Sequence, residues 1–509
     1  MSKGVTFMKD KRPARPDRIP ELDGFRVLLV FIVSWYHIWQ QSWLGPHFGR
    51  VSLDFLVRSG YMPVDGTILL SGFLLFLPYA KSMLQGTPLP DRRRFYEKRA
   101  MRILPSYYFL LAAVLLVVVI PFRLYNTAQF AVKDIFTHLT FTFMFSAETY
   151  MGTQLGAACW TLALEMQAYL LFPFVARWVM RRPAAVLTAM VAAAFCWRGY
   201  CIWALPEYAM VVNQLPSFLD VYALGMVCAM LYVKLTSAPP RRPWLRTIIA
   251  TAVLAVSVLG IIALLKDQAR EPHYVMIQRG QMLRRFPFAV LLSGVVMSLP
   301  FAVQPVRFLM GNRVMGFLAG ISMNYYLIHQ IVAVHLKRLG IPYSASATPH
   351  MDGDRPWQWT YTLLSFGVSL VLATLVTYLV EKPGARAMNR LFRRREKERS
   401  ECFRQQAEEA VATLQLRPGE TVLVEGFGAR SELMAALVEV ISAAKAIPQV
   451  QLRDAKIDKA LLSGQEQATI QAAEAAQLTA YQAYIGVGEV PDARIGQCEA
   501  GVIRYMLIR

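Results

Sequence analysis

The chain has 509 residues, 55% of them hydrophobic and 17% charged, with a positive mean hydropathy, a balance that water-soluble enzymes of this length seldom show. The formal net charge is +20, but the basic residues fall between apolar runs instead of forming one patch, which argues against nucleic acid as a partner and for lipid. A run of about twenty apolar residues crosses a hydrocarbon core of ~30 Å at 1.5 Å per residue, and inside lipid such a run must be helical.

In chain order, ten runs are predicted to span a membrane, near residues 25–43, 60–80, 104–121, 155–176, 184–204, 213–233, 247–265, 286–304, 315–336 and 359–380. Pro105 and Pro173 are expected to interrupt or end the third and fourth. The expected fold class is therefore an all-α polytopic membrane bundle of about ten transmembrane helices over residues 1–385, with a small C-terminal α/β domain. The first run follows a basic stretch but lacks a small-residue cleavage pattern, so it is read as an uncleaved first span.

Positive charge alternates with these runs. Arg12, Arg92 to Arg94, Arg181, Arg182, Arg241, Arg242 and Arg393 to Arg395 all fall in segments on one side. The positive-inside rule then puts both termini in the cytoplasm of a multi-pass inner-membrane protein. The basic stretch from Lys266 to Arg285 is the exception, being expected outside. Six cysteines are scattered with no CxxC pair, so neither a disulfide framework nor a metal site is expected.

After Val380, "EKPGARAMNRLFRRREKERSE" reads as a juxtamembrane segment lying on anionic lipid, with residues 386–402 as a basic linker. Residues 403–509 then read as a soluble unit. "TVLVEG", "PQVQLRD" and "AYIGVGEV" are short strands separated by the helices "SELMAALVEVISAAKA" and "QEQATIQAAEAAQL", a βαβαβ order. Gly426-Phe427-Gly428 lacks the third glycine of a dinucleotide turn. The segment from Phe403 to Asp492 resembles the N-terminal half of aminopeptidase T-type peptidases through "LQLRPGETVLVEG" and "AYIGV". That family's metal ligands lie in its second half, so peptidase activity is not implied. No closing element is expected after residue 495.

Several ionisable residues stand inside or beside the apolar runs. His37 lies deep in the first span, on the same helix face as Arg26 near its start. A histidine at that depth marks either a reaction site or a neutral residue hydrogen-bonded to a neighbouring helix. Glu165, in the fourth span, is expected near the same depth, where a carboxylate beside the imidazole would fix its tautomer for general-base work or transient acyl acceptance. The alternative is a protonated structural glutamate. Asp65 opens the second span and reads as a residue that orients an acceptor hydroxyl, as a partner of His37, or as a helix cap.

The loop "DRRRFYEKRAMRILPSYY" is denser in basic residues than topology alone requires. Its Arg92, Arg99 and Arg102 suit the phosphates of coenzyme A, or alternatively anionic headgroups. His329, His335 and Tyr326 in the ninth span are read as structural.

"ELDGFRVLLVFIVSWYH", "VDGTILLSGFLL", "KRAMRILPSYY", "WTLALEMQAYLLFP" and "ISMNYYLIHQ", in this order over residues 18–385, resemble the acyltransferase 3 family of membrane proteins. The resemblance implies transfer of an acyl group, commonly acetyl, from cytoplasmic acyl-CoA to a hydroxyl of a carbohydrate or glycolipid acceptor, with acetyl-CoA the expected donor and no metal. It carries the essential histidine onto His37, the first-helix arginine onto Arg26, the RxxR pair onto Arg99 and Arg102, and the two acids onto Asp65 and Glu165. Gly66-Thr67 replaces the family's aromatic pair, and the C-terminal unit is not a usual companion. The competing reading is a proton-coupled transporter or flippase using the midplane His and Glu. A third possibility is a noncatalytic anchor for the C-terminal unit.

Overall fold

Long apolar runs fold as helices in the computed structural model, which describes residues 18–427, 431–453, 476, 478, 480–488, 490, 495, 498 and 503–508. The chain divides into two compact units, Met1–Arg386 and Ala387–Arg509. Among the described residues of the first unit the principal helices are α1 (Pro20–Ser42), α2 (Val64–Gln85), α3 (Arg92–Val114), α4 (Ala128–Leu139), α5 (Trp160–Arg181), α6 (Pro183–Ala204), α7 (Leu219–Thr236), α8 (Pro243–Gln268), α9 (Tyr274–Ser298), α10 (Gln304–Gly311), α11 (Arg313–Arg338) and α12 (Arg355–Val376). A minimal hairpin, β1 (His47–Phe48) and β2 (Val51–Ser52), follows α1.

Among the described residues nine helices are long and apolar enough to cross a membrane. Helix α5, the fourth expected span, is not one of these nine. Pro105 and Pro173 lie inside continuous α3 and α5 instead of breaking them, as neighbouring helices and local adjustments allow in membrane bundles.

The basic stretch before the third run is helix, not loop. Asp91 caps it by accepting a hydrogen bond from the Arg94 N–H at 2.9 Å, so α3 begins at Arg92, well before the apolar residues do. The segment expected as a basic linker is likewise part of one helix, α13 (Lys382–Leu414). It is supported by i,i+4 pairs such as Arg394–Glu398 and Arg404–Glu408.

Small residues let the helices of the first unit approach closely. A Cβ at Gly225 of α7 would collide with the backbone of Leu69 and Phe73 on α2, and one at Gly72 would meet the Tyr222 carbonyl at 2.8 Å. This is backbone-to-backbone packing of the small-residue kind. Helices α1 and α11 run parallel, joined by Ser34–Tyr325 and by Lys337 to the Gln41 carbonyl.

In the second unit, β3 (Thr421–Phe427), β4 (Ile447–Arg453), β5 (Ala483–Gly488) and β6 (Arg504–Ile508) form a parallel sheet in the order β4-β3-β5-β6. Helix α14 (Ser431–Ala443) joins β3 to β4. The core is built from Val422, Val424 and Ile485 of the sheet, Leu437 of α14 and the Phe403, Ala407, Ala410, Leu414 stripe of α13. The expected helix over 465–478 lies almost wholly outside the described residues. Strand β6 corrects the expectation that nothing closes the unit after residue 495. Four of its five residues, Tyr505 to Ile508, form a short apolar run, a weak signal by periodicity alone.

Candidate active site

Two histidines face each other across α1 and α11. His37 Nδ1 lies 2.8 Å from His329 Nε2. His329 Nδ1 in turn lies 2.6 Å from the Tyr326 carbonyl oxygen. The carbonyl can only accept, so His329 Nδ1 carries the proton and, in the neutral ring, Nε2 is the acceptor. His37 therefore donates through Nδ1, and its Nε2 presents a lone pair. His329 is fully buried while His37 is half-buried.

Glu165 is held elsewhere. Its carboxylate accepts from Ser71 Oγ of α2 and from Tyr169 OH one turn along α5, each at 2.9 Å. The expected His37–Glu165 pair is thus not formed. Which helices are neighbours is not readable from residue count along each of them. His37 and His329 stand at nearly equal distances from the starts of two parallel helices, α1 at Pro20 and α11 at Arg313. That equality was the available signal for the pair.

A cavity of about 350 Å³ brings together Arg26 of α1, Arg99 and Arg102 of α3, Glu165 and Tyr169 of α5, and Tyr326 of α11. It does not include His37. Its link to the histidine pair runs through Tyr326, whose ring centroid lies 5.4 Å from that of His329. The Arg99 guanidinium lies over the rings of Phe95 and Tyr169, with centroid distances of 5.7 and 5.6 Å, which holds its fork in place. A second cavity of about 460 Å³ is lined by Arg18, Arg26, Arg102 and Lys382 against a single acid, Asp23. Four cations and one carboxylate suit an anionic ligand.

Arg92 stands apart from both cavities. It is exposed on the first turn of α3, over the Phe174 ring at 5.7 Å.

Asp65 is buried on the first turn of α2, where it neither caps the helix nor reaches His37. Its Oδ2 accepts from Arg285 Nε at 3.4 Å. Arg285 also donates to the Val212 carbonyl at 2.8 Å and to Ser217 Oγ, and it lies over the Phe218 ring at 3.9 Å. A second buried pair, Arg198–Asp220, stands beside this one on α6 and α7. The basic stretch expected outside is thereby explained. Arg285 belongs to the interior of α9, and Arg284 pairs with Asp267 at 2.6 Å and with Glu271 at 2.8 Å.

The family model of the acyltransferase domain of the acyltransferase 3 family matches residues 19–381. The chain is 25% identical over 342 residues, 67% of its own length and 88% of the relative's, to a candidate acetyltransferase of Acidianus two-tailed virus. It is 27% identical over 386 residues to the candidate peptidoglycan O-acetyltransferase YrhL of Bacillus subtilis, covering 72% of this chain and 54% of that protein. With the O-acetyltransferase OatA of Staphylococcus aureus it shares 26% identity over 181 residues, 35% of this chain and 28% of that protein. The chain thus spans about half of YrhL and less of OatA. No solved structure matches. The family match ends at residue 381, and the aminopeptidase resemblance of the C-terminal unit finds no support in these comparisons. Matched across most of its length and flanked by O-acetyltransferase relatives, the chain belongs to the acyltransferase 3 family and is an acyltransferase.

Proposed function

We propose that the protein transfers an acyl group, acetyl in the simplest case, from acyl-CoA to a hydroxyl of a carbohydrate or glycolipid. The donor's phosphates lie among Arg18, Arg26, Arg99, Arg102 and Lys382, at the end of the bundle taken here as cytoplasmic, and its thioester points along the cavity toward Tyr326. Both termini are assigned to the cytoplasmic face of the inner membrane, in keeping with the distribution of Arg and Lys.

The observation that carries this reading is the hydrogen-bond relay from the Tyr326 carbonyl through His329 to His37 Nδ1. It leaves Nε2 as the basic atom. In the direct route, Nε2 takes the acceptor hydroxyl proton, the oxygen attacks the thioester carbonyl, and the C–S bond breaks to release the thiolate, which recovers the proton. In the two-step route, Nε2 itself attacks the carbonyl and the C–S bond breaks to release the thiolate; the acceptor hydroxyl then attacks the acyl-histidine carbonyl, the N–C bond breaks to return neutral His37, and the hydroxyl proton passes to the thiolate. The relay serves both, because positive charge developing on His37 is stabilised by its Nδ1–H bond to His329. Glu165 is fixed beside the arginines of the cavity by its contacts with Ser71 and Tyr169. Family membership as an acyltransferase weighs against the transporter reading and against a noncatalytic anchor. The test is acyl transfer from radiolabelled acetyl-CoA to membrane glycans by the wild type and by His37→Ala inserted at equal level. Transfer should disappear in the variant; wild-type transfer by His37→Ala would end the mechanism.

A further inference from the structure

A groove beside α1 is bordered by Tyr325, whose ring packs on His329. It has a volume of about 350 Å³ and lies between α1, α11 and α12, lined by Val27, Phe31, Ile321, Tyr325, Phe366 and Leu370 among others. Its hydroxyls are already engaged within the protein. Ser322 Oγ donates to the Ala319 carbonyl, and Tyr325 OH contacts Ser34 Oγ at 3.1 Å. What remains for a ligand is hydrocarbon. The rim is formed by side chains exposed at the surface of the bundle, Phe31 and Leu370 among them.

Two facts tie this groove to the chemistry. Val30 and Ser322 line both the groove and the arginine-bearing cavity, so the two spaces adjoin at these side chains. The consecutive residues Tyr325 and Tyr326 also divide the work. Tyr325 borders the groove and Tyr326 the cavity, and both rings pack on His329, with centroid distances of 6.2 and 5.4 Å. A charged compartment and an apolar one therefore each border a tyrosine that packs on His329. A reaction with two substrates requires two approaches to the acyl-transfer point, and the anionic donor fits only the first.

We propose that the groove holds the hydrocarbon chain of a lipid-borne acceptor, an alkyl-linked glycan that enters sideways from the bilayer and presents its hydroxyl to His37. This rests on the acyltransferase reading above and narrows its acceptor to a glycolipid. The alternative source of an alkyl chain, a long acyl group on the donor, would have to pass from the polar cavity between Val30 and Ser322.

Gly367 on α12 provides the means of testing it. A Cβ there meets nothing within 4 Å, so the side chain of Gly367→Leu starts in open space within the groove, and Leu370→Trp at the rim gives a second blocking variant. The full chain is reconstituted in phosphatidylethanolamine–phosphatidylglycerol vesicles with a dodecyl glucoside carrying a diazirine on its alkyl chain. Labelled residues are then mapped after illumination. Saturable labelling at Val27 and Phe31, reduced at least tenfold in both variants, is the expected result. Labelling that does not saturate, or that persists in both variants, would reduce the groove to a space filled by bulk lipid and overturn the proposal. Labelling of the same residues by a diazirine-bearing palmitoyl-CoA, and not by the glucoside, would overturn it in favour of the donor's chain. Because the readout is labelling and not turnover, its failure is distinct from a failure of acyl transfer, which His37→Ala tests separately.

Discussion

His37 and His329 form a directed pair, with the Nδ1–H of one donating to Nε2 of the other across 2.8 Å. The direction is set by the Tyr326 carbonyl, 2.6 Å from His329 Nδ1, and not by either ring alone. Replacing His329 by Ala removes the acceptor that fixes the His37 tautomer. We expect kcat to fall about 10²-fold or more, with a smaller change in donor KM. His329→Gln, whose side-chain carbonyl can accept from His37 Nδ1, should recover part of the rate. A His329→Ala protein with unchanged kcat and unchanged pH profile would remove the relay from the mechanism.

The arginines of α3 differ in placement, and their effects should differ with it. Arg99 and Arg102 line the cavity, whereas Arg92 is exposed over Phe174. A hydrogen bond to a charged group contributes about 1.5–3 kcal/mol, which corresponds to roughly 10- to 100-fold in donor KM. Arg99→Ala and Arg102→Ala should show that loss with kcat less affected, and Arg92→Ala should leave KM within about twofold, a surface change of small energy. Initial-rate kinetics with varied acetyl-CoA decide it, and equal effects at all three positions would argue for general attraction to the basic end.

Much of the bundle is written in its hydropathy. The apolar runs mark the helices. Lateral neighbours are not written there. Glu165 faces Ser71 because α5 packs on α2, a choice made by side-chain fit among several apolar surfaces of similar character. Arg285 was hidden for a related reason. A basic residue beside Arg284 reads as loop, and only the three-dimensional partner, Asp65 on α2, shows why it is tolerated inside. The helical course of residues 92–103 was missed because hydropathy detects apolarity and not helix. The Asp91 cap and the Arg- and Lys-rich first turns carry the helix there.

Asp65 and Arg285 offer a way to separate architecture from chemistry. Both are buried, and Arg285 makes further hydrogen bonds to the Val212 carbonyl and to Ser217 Oγ. Arg285→Met strands the Asp65 carboxylate and should cost about 3–5 kcal/mol, whereas the double replacement Asp65→Leu/Arg285→Met should regain most of that. Thermal unfolding of the purified protein in detergent measures both. If Asp65 also acts on the acceptor hydroxyl, the stable double variant stays inactive. Full activity in it would confine Asp65 to holding α2 against α9.

The C-terminal unit carries its own pH signature. Glu420 accepts from Arg504 at 2.5 Å, from the strand that closes the sheet, and from the Arg417 backbone N–H at 2.8 Å. These bonds hold its carboxyl below the usual glutamate range. In the unfolded chain Glu420 titrates near its ordinary value of about 4.3, so around that pH the unfolded state binds more protons than the folded one. The stabilisation is therefore complete above about pH 4.3 and is lost as pH falls through the lower folded value. Because Arg504 begins β6, the loss should appear first as faster amide exchange in β6 and in its partner β5. Hydrogen exchange on the full chain at descending pH is the measurement, compared with Glu420→Gln, which should be less protected at neutral pH and show little further change on acidification. Identical pH dependence in the two proteins would mean that β6 is held by its apolar residues, Met506 and Ile508, without help from the ion pair.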